Sequence, residues 1–112
     1  MYMRSSDLLL GVPVNIATTS MMLAVMARLS GKTAATVTVF MADTHLYENH
    51  VEQALEQVQR TPYAPANLVL SDNIKPITDL SQVKGAFERI EPEDIELVDY
   101  VSHAALKAPM AA

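Results

Sequence analysis

The sequence predicts an α+β fold for this chain of 112 residues, and three patterns support the prediction. Residues 16–29 form a largely apolar stretch whose length suits a buried helix. Residues 36–40 place β-branched side chains at alternating positions, which is typical of a strand. Residues 47–60 have apolar side chains spaced four and three apart among glutamates and glutamines, which indicates an amphipathic helix. Helices and strands thus mix within a chain of single-domain length.

The start of the chain is predicted to lead from a strand into the first helix. The apolar run of residues 8–10 stops at Gly11 and Pro13, as expected where a buried strand turns into a helix. Asn15 stands at the N-cap position expected for the apolar stretch. Gly31 follows that stretch and suits a left-handed C-cap. Because few positions in the stretch are polar, we expect a long helix that is buried on nearly all sides.

The rest of the chain is predicted to add two strands. Pro62 ends the amphipathic helix, and residues 67–70 and 95–100 have the composition of strands. Residues 71–89 mix polar and isolated apolar side chains, so we expect either a loop or a short helix near residues 81–87. No internal repeat or second domain is visible.

Composition excludes several classes of partner. The net charge is −5 with scattered basic residues, which argues against a nucleic acid partner. The chain has no cysteine, which excludes disulfides, thiolate zinc sites and thiol nucleophiles. Polar residues interrupt the stretch 16–29, which falls short of the ~20 apolar residues that span a bilayer, and no secretory signal is recognisable. We therefore expect no membrane span and a cytoplasmic location.

Three segments combine polar groups in patterns suited to ligands: RSSDLLLGVPVNIA at residues 4–17, DTHLYENH at residues 43–50, and KAPMAA at residues 107–112. Together they resemble the thymidylate synthase family, in the same order. The resemblance covers nearly the whole chain and implies an α+β fold in which a mixed β-sheet packs with a long buried helix. It further implies that residues 1–112 are the carboxyl-terminal part of a single domain, with an insertion around 71–89.

A nucleotide site is the first implication of the resemblance. The guanidinium of Arg4 and the hydroxyl of Ser5 suit phosphate oxygens, and by resemblance they bind the 5′-phosphate of dUMP or a related pyrimidine nucleotide. Asn15 can donate to O4 and accept from N3–H of uracil, although a helix cap is an alternative reading. His45 and Tyr47 alternate, so they point to one side of an extended segment. By resemblance, this pair binds the 3′-hydroxyl of the deoxyribose.

A folate site is the second implication. The resemblance assigns 5,10-methylenetetrahydrofolate to Asp7, Leu10, Gly11, Val14 and Ala112, with Asp7 meeting the pterin ring. From composition alone, a helix cap or a salt bridge to Arg4 or Arg28 is an equally good reading of Asp7. The terminal segment 107–112 is expected to fold over bound ligands, with fraying of the terminus as the alternative.

Asp43, His45 and His50 are candidate metal ligands, because histidines and carboxylates at short spacing can bind zinc. The spacing of five between the histidines fits no common metal motif. We therefore predict no metal and expect His50 to be a structural residue in the first turn of the following helix.

The departures from the family pattern bear on activity. Val14 replaces the usual Phe, Ala42 the usual Gly, and Ala112 a larger terminal residue, changes that would admit water and favour a dUMP or dCMP hydroxymethylase as the alternative activity. The family's cysteine nucleophile is absent, so we expect this chain alone to be inactive. It would act with an upstream half, as a homodimer of the thymidylate synthase type, or as a non-catalytic binding or assembly module.

Overall fold

The computed structural model describes residues 1–110 and confirms the α+β class. Ala112, predicted to contact folate, lies outside the described residues. The chain divides into two compact units. The first comprises Met1–Thr18, Thr38–Ala64 and the described residues from Val101 onward, and the second comprises Thr19–Val37 and Pro65–Tyr100.

Two short pairs of parallel strands organise the first unit. Strand β1 (Tyr2–Met3) pairs with β3 (Phe40–Met41), and β2 (Ser6–Asp7) pairs with β4 (Thr44–His45). The prediction of a strand at residues 8–10 is wrong, because these residues form the turn that follows β2. The strand predicted at residues 36–40 begins only at its last residue.

Helix α1 (Gly11–Leu29) begins five residues earlier than residue 16, where the sequence predicted its start. Pro13 is its third residue, where a missing N–H costs no helical hydrogen bond. Gly11 is its first residue and has no positive φ. Asn15 consequently lies inside the helix, so the N-cap interpretation of Asn15 is wrong.

The end of α1 agrees with the prediction for Gly31. This residue has a φ of 64°. Its N–H donates to the Arg28 carbonyl at 3.2 Å, and the Lys32 N–H donates to the Ala27 carbonyl at 2.8 Å. These two bonds define a Schellman motif, which satisfies carbonyls left open at a helix end.

Much of the apolar surface of α1 is exposed in this chain, contrary to the expectation of a helix buried on nearly all sides. Its buried residues are Val12, Val25, Ala27 and Leu29, whereas Val14 is 63% exposed. Among the helices of residues 1–110, α1 alone is long and apolar enough to cross a membrane. Within its most apolar stretch of 18 residues, 22% is buried. Core helices of globular domains pass the same test.

A short 3₁₀ turn at Glu48–His50 leads into helix α2 (Val51–Gln59). The amphipathic pattern correctly predicted this helix. Its apolar stripe is not buried, however, since Val51, Leu55 and Val58 are 41%, 56% and 78% exposed.

The second unit contains an antiparallel pair, β5 (Asn67–Leu70) and β6 (Ile95–Val98), in which Asn67 faces Val98 and Leu70 faces Ile95. Its core consists of four buried side chains, from Val25, Leu29, Ile74 and Ala86. The last two belong to residues 71–89, so this stretch contributes to the core as well as forming the expected loop. Its short helix is the 3₁₀ turn Leu80–Gln82, and a second one, Pro92–Asp94, precedes β6.

Buried Asp94 ties the ends of β5 and β6 together. Its carboxylate accepts from Ser71 Oγ at 2.6 Å, Asn73 Nδ2 at 2.9 Å and the Glu91 N–H at 3.1 Å. Hydrogen bonds to the charged form stabilise it. Those from Ser71, then Asn73 and Glu91, hold the pKa of Asp94 below its ordinary value of 3.8.

An acid-dependent loss of stability follows from this lowered pKa. The stabilisation by Asp94 is fully present above its unfolded-state pKa and disappears as the pH falls through the lower folded-state pKa. We expect Asp94→Asn to lower the thermal unfolding midpoint at pH 7. Below pH 3.8 the midpoints of the variant and of the unmodified chain should approach each other. Calorimetric melts from pH 7 to pH 2 would measure this, and two parallel curves would contradict it.

Candidate functional site

The pairing of β2 with β4 brings two of the sequence motifs together. In this register, Asp7 lies opposite His45 and Ser6 lies opposite Thr44. The Ser6 N–H donates to the Asp43 carbonyl at 3.1 Å, and the Leu8 N–H donates to the His45 carbonyl at 3.0 Å. Residues predicted to meet folate and sugar are therefore strand neighbours.

Asp7 also holds the start of α1. Its Oδ1 accepts from the N–H groups of Leu9 and Leu10 at 3.0 and 3.3 Å. These bonds order the turn before Gly11, which is the local capping role weighed from the sequence. The salt-bridge alternative is not found, because Arg28 instead pairs with Asp72 at 3.7 Å and Arg4 makes no ion pair among residues 1–110.

Gly11 lies between Asp7 and Asn15. A Cβ added to Gly11 would lie 3.4 Å from Asp7 Cβ and 3.8 Å from Asn15 Nδ2. The Asn15 side chain therefore reaches back over the first turn of α1, as helical side chains do. The glycine leaves open the space between the side chains of Asp7 and Asn15. Half-buried Leu10 precedes it in the chain, and exposed Val14 follows three residues later.

Arg4 and Ser5 occupy the bend between β1 and β2, and both are exposed. The Arg4 guanidinium makes no hydrogen bond within residues 1–110, so all of its donors are available to an anion. The bend leads directly into β2, which places this cation two residues before buried Ser6 and three before Asp7 in the chain.

His45 and Tyr47 lie together, as their alternation predicted. Their ring centroids are 5.1 Å apart with the planes at 78°, an edge-to-face contact. His45 Nδ1 lies 2.9 Å from the Asp43 carbonyl. Because a carbonyl can only accept, Nδ1 carries a proton, which leaves Nε2 of the neutral ring as an acceptor for a hydroxyl.

Asp43 shapes the loop before β4. Its φ is 41°, in the left-handed region that aspartate tolerates better than most residues. In this conformation its carbonyl accepts from both Ser6 and His45. No cluster of three or more potential metal ligands is found in residues 1–110.

The chain's last described residues run along α2 and are held by side-chain donors. His50 Nε2 donates to the Pro109 carbonyl at 2.6 Å, Gln53 Nε2 to Lys107 at 3.2 Å, and Arg60 Nη1 to Ala104 at 2.7 Å. His50 is fully buried, and its ring also meets Tyr47 edge to face at 5.6 Å.

These contacts give a continuous path of neighbours from Asn15 through Gly11, Asp7 and His45 to Tyr47. It offers a carboxamide, a carboxylate, an imidazole acceptor and a phenol, in a chain that also exposes a guanidinium at Arg4. Such groups suit a small ligand with a polar ring and hydroxyl groups.

The comparisons with known proteins agree with this set of groups. A family model described as thymidylate synthase matches residues 1–112. The chain belongs to the thymidylate synthase family. A thymidylate synthase of Pseudomonas putida is 38% identical over 112 residues, covering 99% of this chain and 35% of the relative. A thymidylate synthase of Mycoplasma mobile is 41% identical over 111 residues, covering 99% and 35%.

A solved structure supports the fold. The crystal structure of thymidylate synthase from T4 phage matches with a TM-score of 0.83 and 32% identity, covering 99% of this chain and 40% of that one. This thymidylate synthase family chain therefore spans about a third of the length of the curated relatives it matches.

Sequence reasoning missed three features of this site. Ser6 is fully buried and bonds the Ala42 carbonyl at 3.3 Å, yet it was overlooked beside Ser5. The Asp43 carbonyl, as a shared acceptor, leaves no sequence signal. The contacts of Gln53 with Lys107 and of Arg60 with Ala104 were also missed, although both Gln53 and Arg60 are polar positions of the amphipathic pattern.

Proposed function

We propose that this chain supplies the nucleotide- and folate-binding portion of a thymidylate synthase, which transfers a methyl group to C5 of dUMP. The observation that carries the proposal is the path of neighbours from Asn15 to Tyr47. Along one stretch of the first unit, this path contains groups suited to a pyrimidine base, to a folate ring and to a sugar hydroxyl.

In this proposal each side chain binds one part of dUMP. Arg4 and Ser5 bind the 5′-phosphate, the Asn15 carboxamide pairs with O4 and N3–H of the base, and His45 and Tyr47 bind the 3′-hydroxyl. The contact of His45 Nδ1 with the Asp43 carbonyl supports this assignment, because it orients the ring and leaves Nε2 as the nitrogen that can bond the hydroxyl.

The residues proposed for folate fit a flat, donor-bearing ring. Gly11 leaves open the space beside the Asp7 carboxylate, where a Cβ would lie in contact with Asp7. The hydrogen bonds of Asp7 within residues 1–110 use Oδ1, so its other oxygen is available to ring N–H donors. Val14, three residues after Gly11 in α1, is 63% exposed. When bound, 5,10-methylenetetrahydrofolate supplies the one-carbon unit.

The covalent step requires a group that this chain does not contain. In the family reaction a thiolate adds to C6 of the pyrimidine, which makes C5 nucleophilic. The chain has no cysteine. We propose that the thiolate comes from a segment corresponding to the remaining length of the relatives, and that residues 1–112 are the carboxyl-terminal part of that domain, with an insertion around residues 71–89.

The exposed apolar faces of α1 and α2 support a larger assembly. Exposed patches of this kind mark surfaces that another part of a protein covers. We propose that the rest of the domain and a second copy in a homodimer cover them, in the cytoplasm. If the assembled protein forms 5-hydroxymethyl-dUMP in place of dTMP, the related hydroxymethylase activity is the correct one. If it binds dUMP without product, the chain is a binding module.

Base preference tests the proposed role of Asn15. In a preparation that joins this chain to a family segment carrying the cysteine, dUMP should bind about 10-fold or more tightly than dCMP, since one mismatched hydrogen-bonding edge leaves polar groups unpaired. Asn15→Asp should narrow or reverse the ratio, as measured by titration calorimetry.

Asn15→Ala is the matched control, because it removes the carboxamide without supplying a new pattern. It should weaken the binding of both nucleotides and make their affinities similar. Equal affinities for dUMP and dCMP before and after Asn15→Asp would count against the assignment.

A further inference from the structure

We propose that His50 is a positioning residue that joins the terminal segment, residues 107–110, to the ring of Tyr47. The two regions then adopt one arrangement together. The meaning of this link for the sugar-binding pair rests on the proposed function, whereas the link itself is testable without nucleotide.

The contacts of His50 point in two directions. On one side Nε2 donates to the Pro109 carbonyl at 2.6 Å, across a separation of 59 residues. On the other side its ring meets Tyr47 at a centroid distance of 5.6 Å, and Tyr47 in turn meets His45 at 5.1 Å. A fully buried side chain with both contacts cannot shift without disturbing one of them.

The hydrogen bonds of His50 and Gln53, the two side chains that donate to the terminal segment, support the inference. Two buried side-chain atoms of residues 1–110 have no hydrogen-bond partner, His50 Nδ1 and Gln53 Oε1. They belong to two of the side chains that donate to the terminal segment. Buried polar atoms without a partner are costly, and the bonds that His50 and Gln53 donate to the carbonyls of Pro109 and Lys107 offset part of that cost.

The terminal segment depends on these bonds because it buries little surface. Leu106 and Ala108 are partly shielded, whereas Lys107, Pro109 and Met110 are exposed. Apolar burial therefore contributes little to holding it, and loss of one donor should increase the population of the released segment about 2- to 10-fold.

Trypsin cleavage of the 112-residue chain after Lys107 measures that population. The cleaved bond, Lys107–Ala108, lies within the segment, and cleavage after exposed Lys84 in the second unit is the internal reference. Relative to that reference, His50→Ala should speed cleavage at Lys107 about 2- to 10-fold. His50→Gln keeps an amide donor near the position of Nε2 and should restore most of the protection.

Variants of Tyr47 test whether His50 couples the terminal segment to the Tyr47 ring or only stabilises the local structure. Tyr47→Ala removes the ring from His50 and should speed cleavage about 2- to 5-fold, whereas Tyr47→Phe keeps the ring and should leave the rate unchanged. In the double variant Tyr47→Ala/His50→Ala, the two effects should not multiply. Val58→Ala, on the exposed face of α2, is the matched control and should have no effect.

Unchanged cleavage in His50→Ala would overturn the proposal, as would fast cleavage in His50→Ala with unchanged cleavage in Tyr47→Ala. Equal acceleration by Val58→Ala would also overturn it, because general loosening of α2 would then be the cause. Calorimetry with dUMP on the preparation joined to the cysteine-bearing segment is the separate arm. Absence of binding there would contradict the proposed function and leave the cleavage result standing.

Discussion

Replacement of Arg4 by alanine is expected to weaken dUMP binding by about 10- to 100-fold. A guanidinium that meets a phosphate contributes charge-assisted hydrogen bonds worth about 1.5 to 3 kcal/mol, and each 1.4 kcal/mol corresponds to about tenfold in affinity. Arg4 is exposed and makes no ion pair within residues 1–110, so its removal should leave folding unchanged. Calorimetry on the preparation joined to a cysteine-bearing family segment would measure the loss.

The phosphate assignment has its own controls. Deoxyuridine lacks the phosphate, so its weaker binding should be the same with and without Arg4. Arg4→Lys keeps the charge but not the planar fork and should give an intermediate loss. Lys32→Ala removes a different exposed cation and should change nothing. An equal loss of affinity for dUMP and deoxyuridine in Arg4→Ala would show that the residue does not act through the phosphate.

Local patterns predicted the elements whose structure depends on neighbouring residues. The strand at residues 67–70 and the C-cap at Gly31 are present as predicted, because strand composition and left-handed backbone are local properties. The predicted start of α1 was wrong, and the reason is also local. Gly11 and Pro13 were interpreted as breakers, yet both are tolerated in a first helical turn, and Asp7 orders the turn before it.

Long-range contacts account for what the sequence left out. Ile74 and Ala86 are core residues of the second unit, but each is isolated among polar neighbours and has no periodic signal. For the candidate site, the closeness of His45 and Tyr47 followed from their alternation. The pairing of Asp7 with His45 and the bond from His50 to Pro109 depend on strand register and chain return, which no short motif encodes.

Burial of the helices differs from expectation for one shared reason. The apolar patterns of α1 and α2 correctly predicted helices, but a pattern does not specify what covers it. Val14, Leu55 and Val58 are more than half exposed in this chain, which spans about a third of the length of its curated relatives.

Exchange of the C5 hydrogen of dUMP is expected only when this chain is combined with a segment that carries the cysteine. Release of the C5 hydrogen requires a covalent adduct at C6, because only the adduct makes C5 basic enough to take up a new proton. The chain has no cysteine, and within residues 1–110 the hydroxyl of Ser6 bonds a backbone carbonyl and not a basic side chain. The isolated chain should therefore show no exchange of the C5 hydrogen, and the combined preparation should show exchange.

Tritium release from C5-labelled dUMP tests the central claim most directly. The isolated 112-residue chain should release no tritium above buffer, and the mixture with the cysteine-bearing family segment should release it in proportion to the assembled protein. A mixture in which that cysteine is replaced by serine is the control and should be inactive. Release by the isolated chain would contradict the claim that it binds nucleotide without supplying the nucleophile.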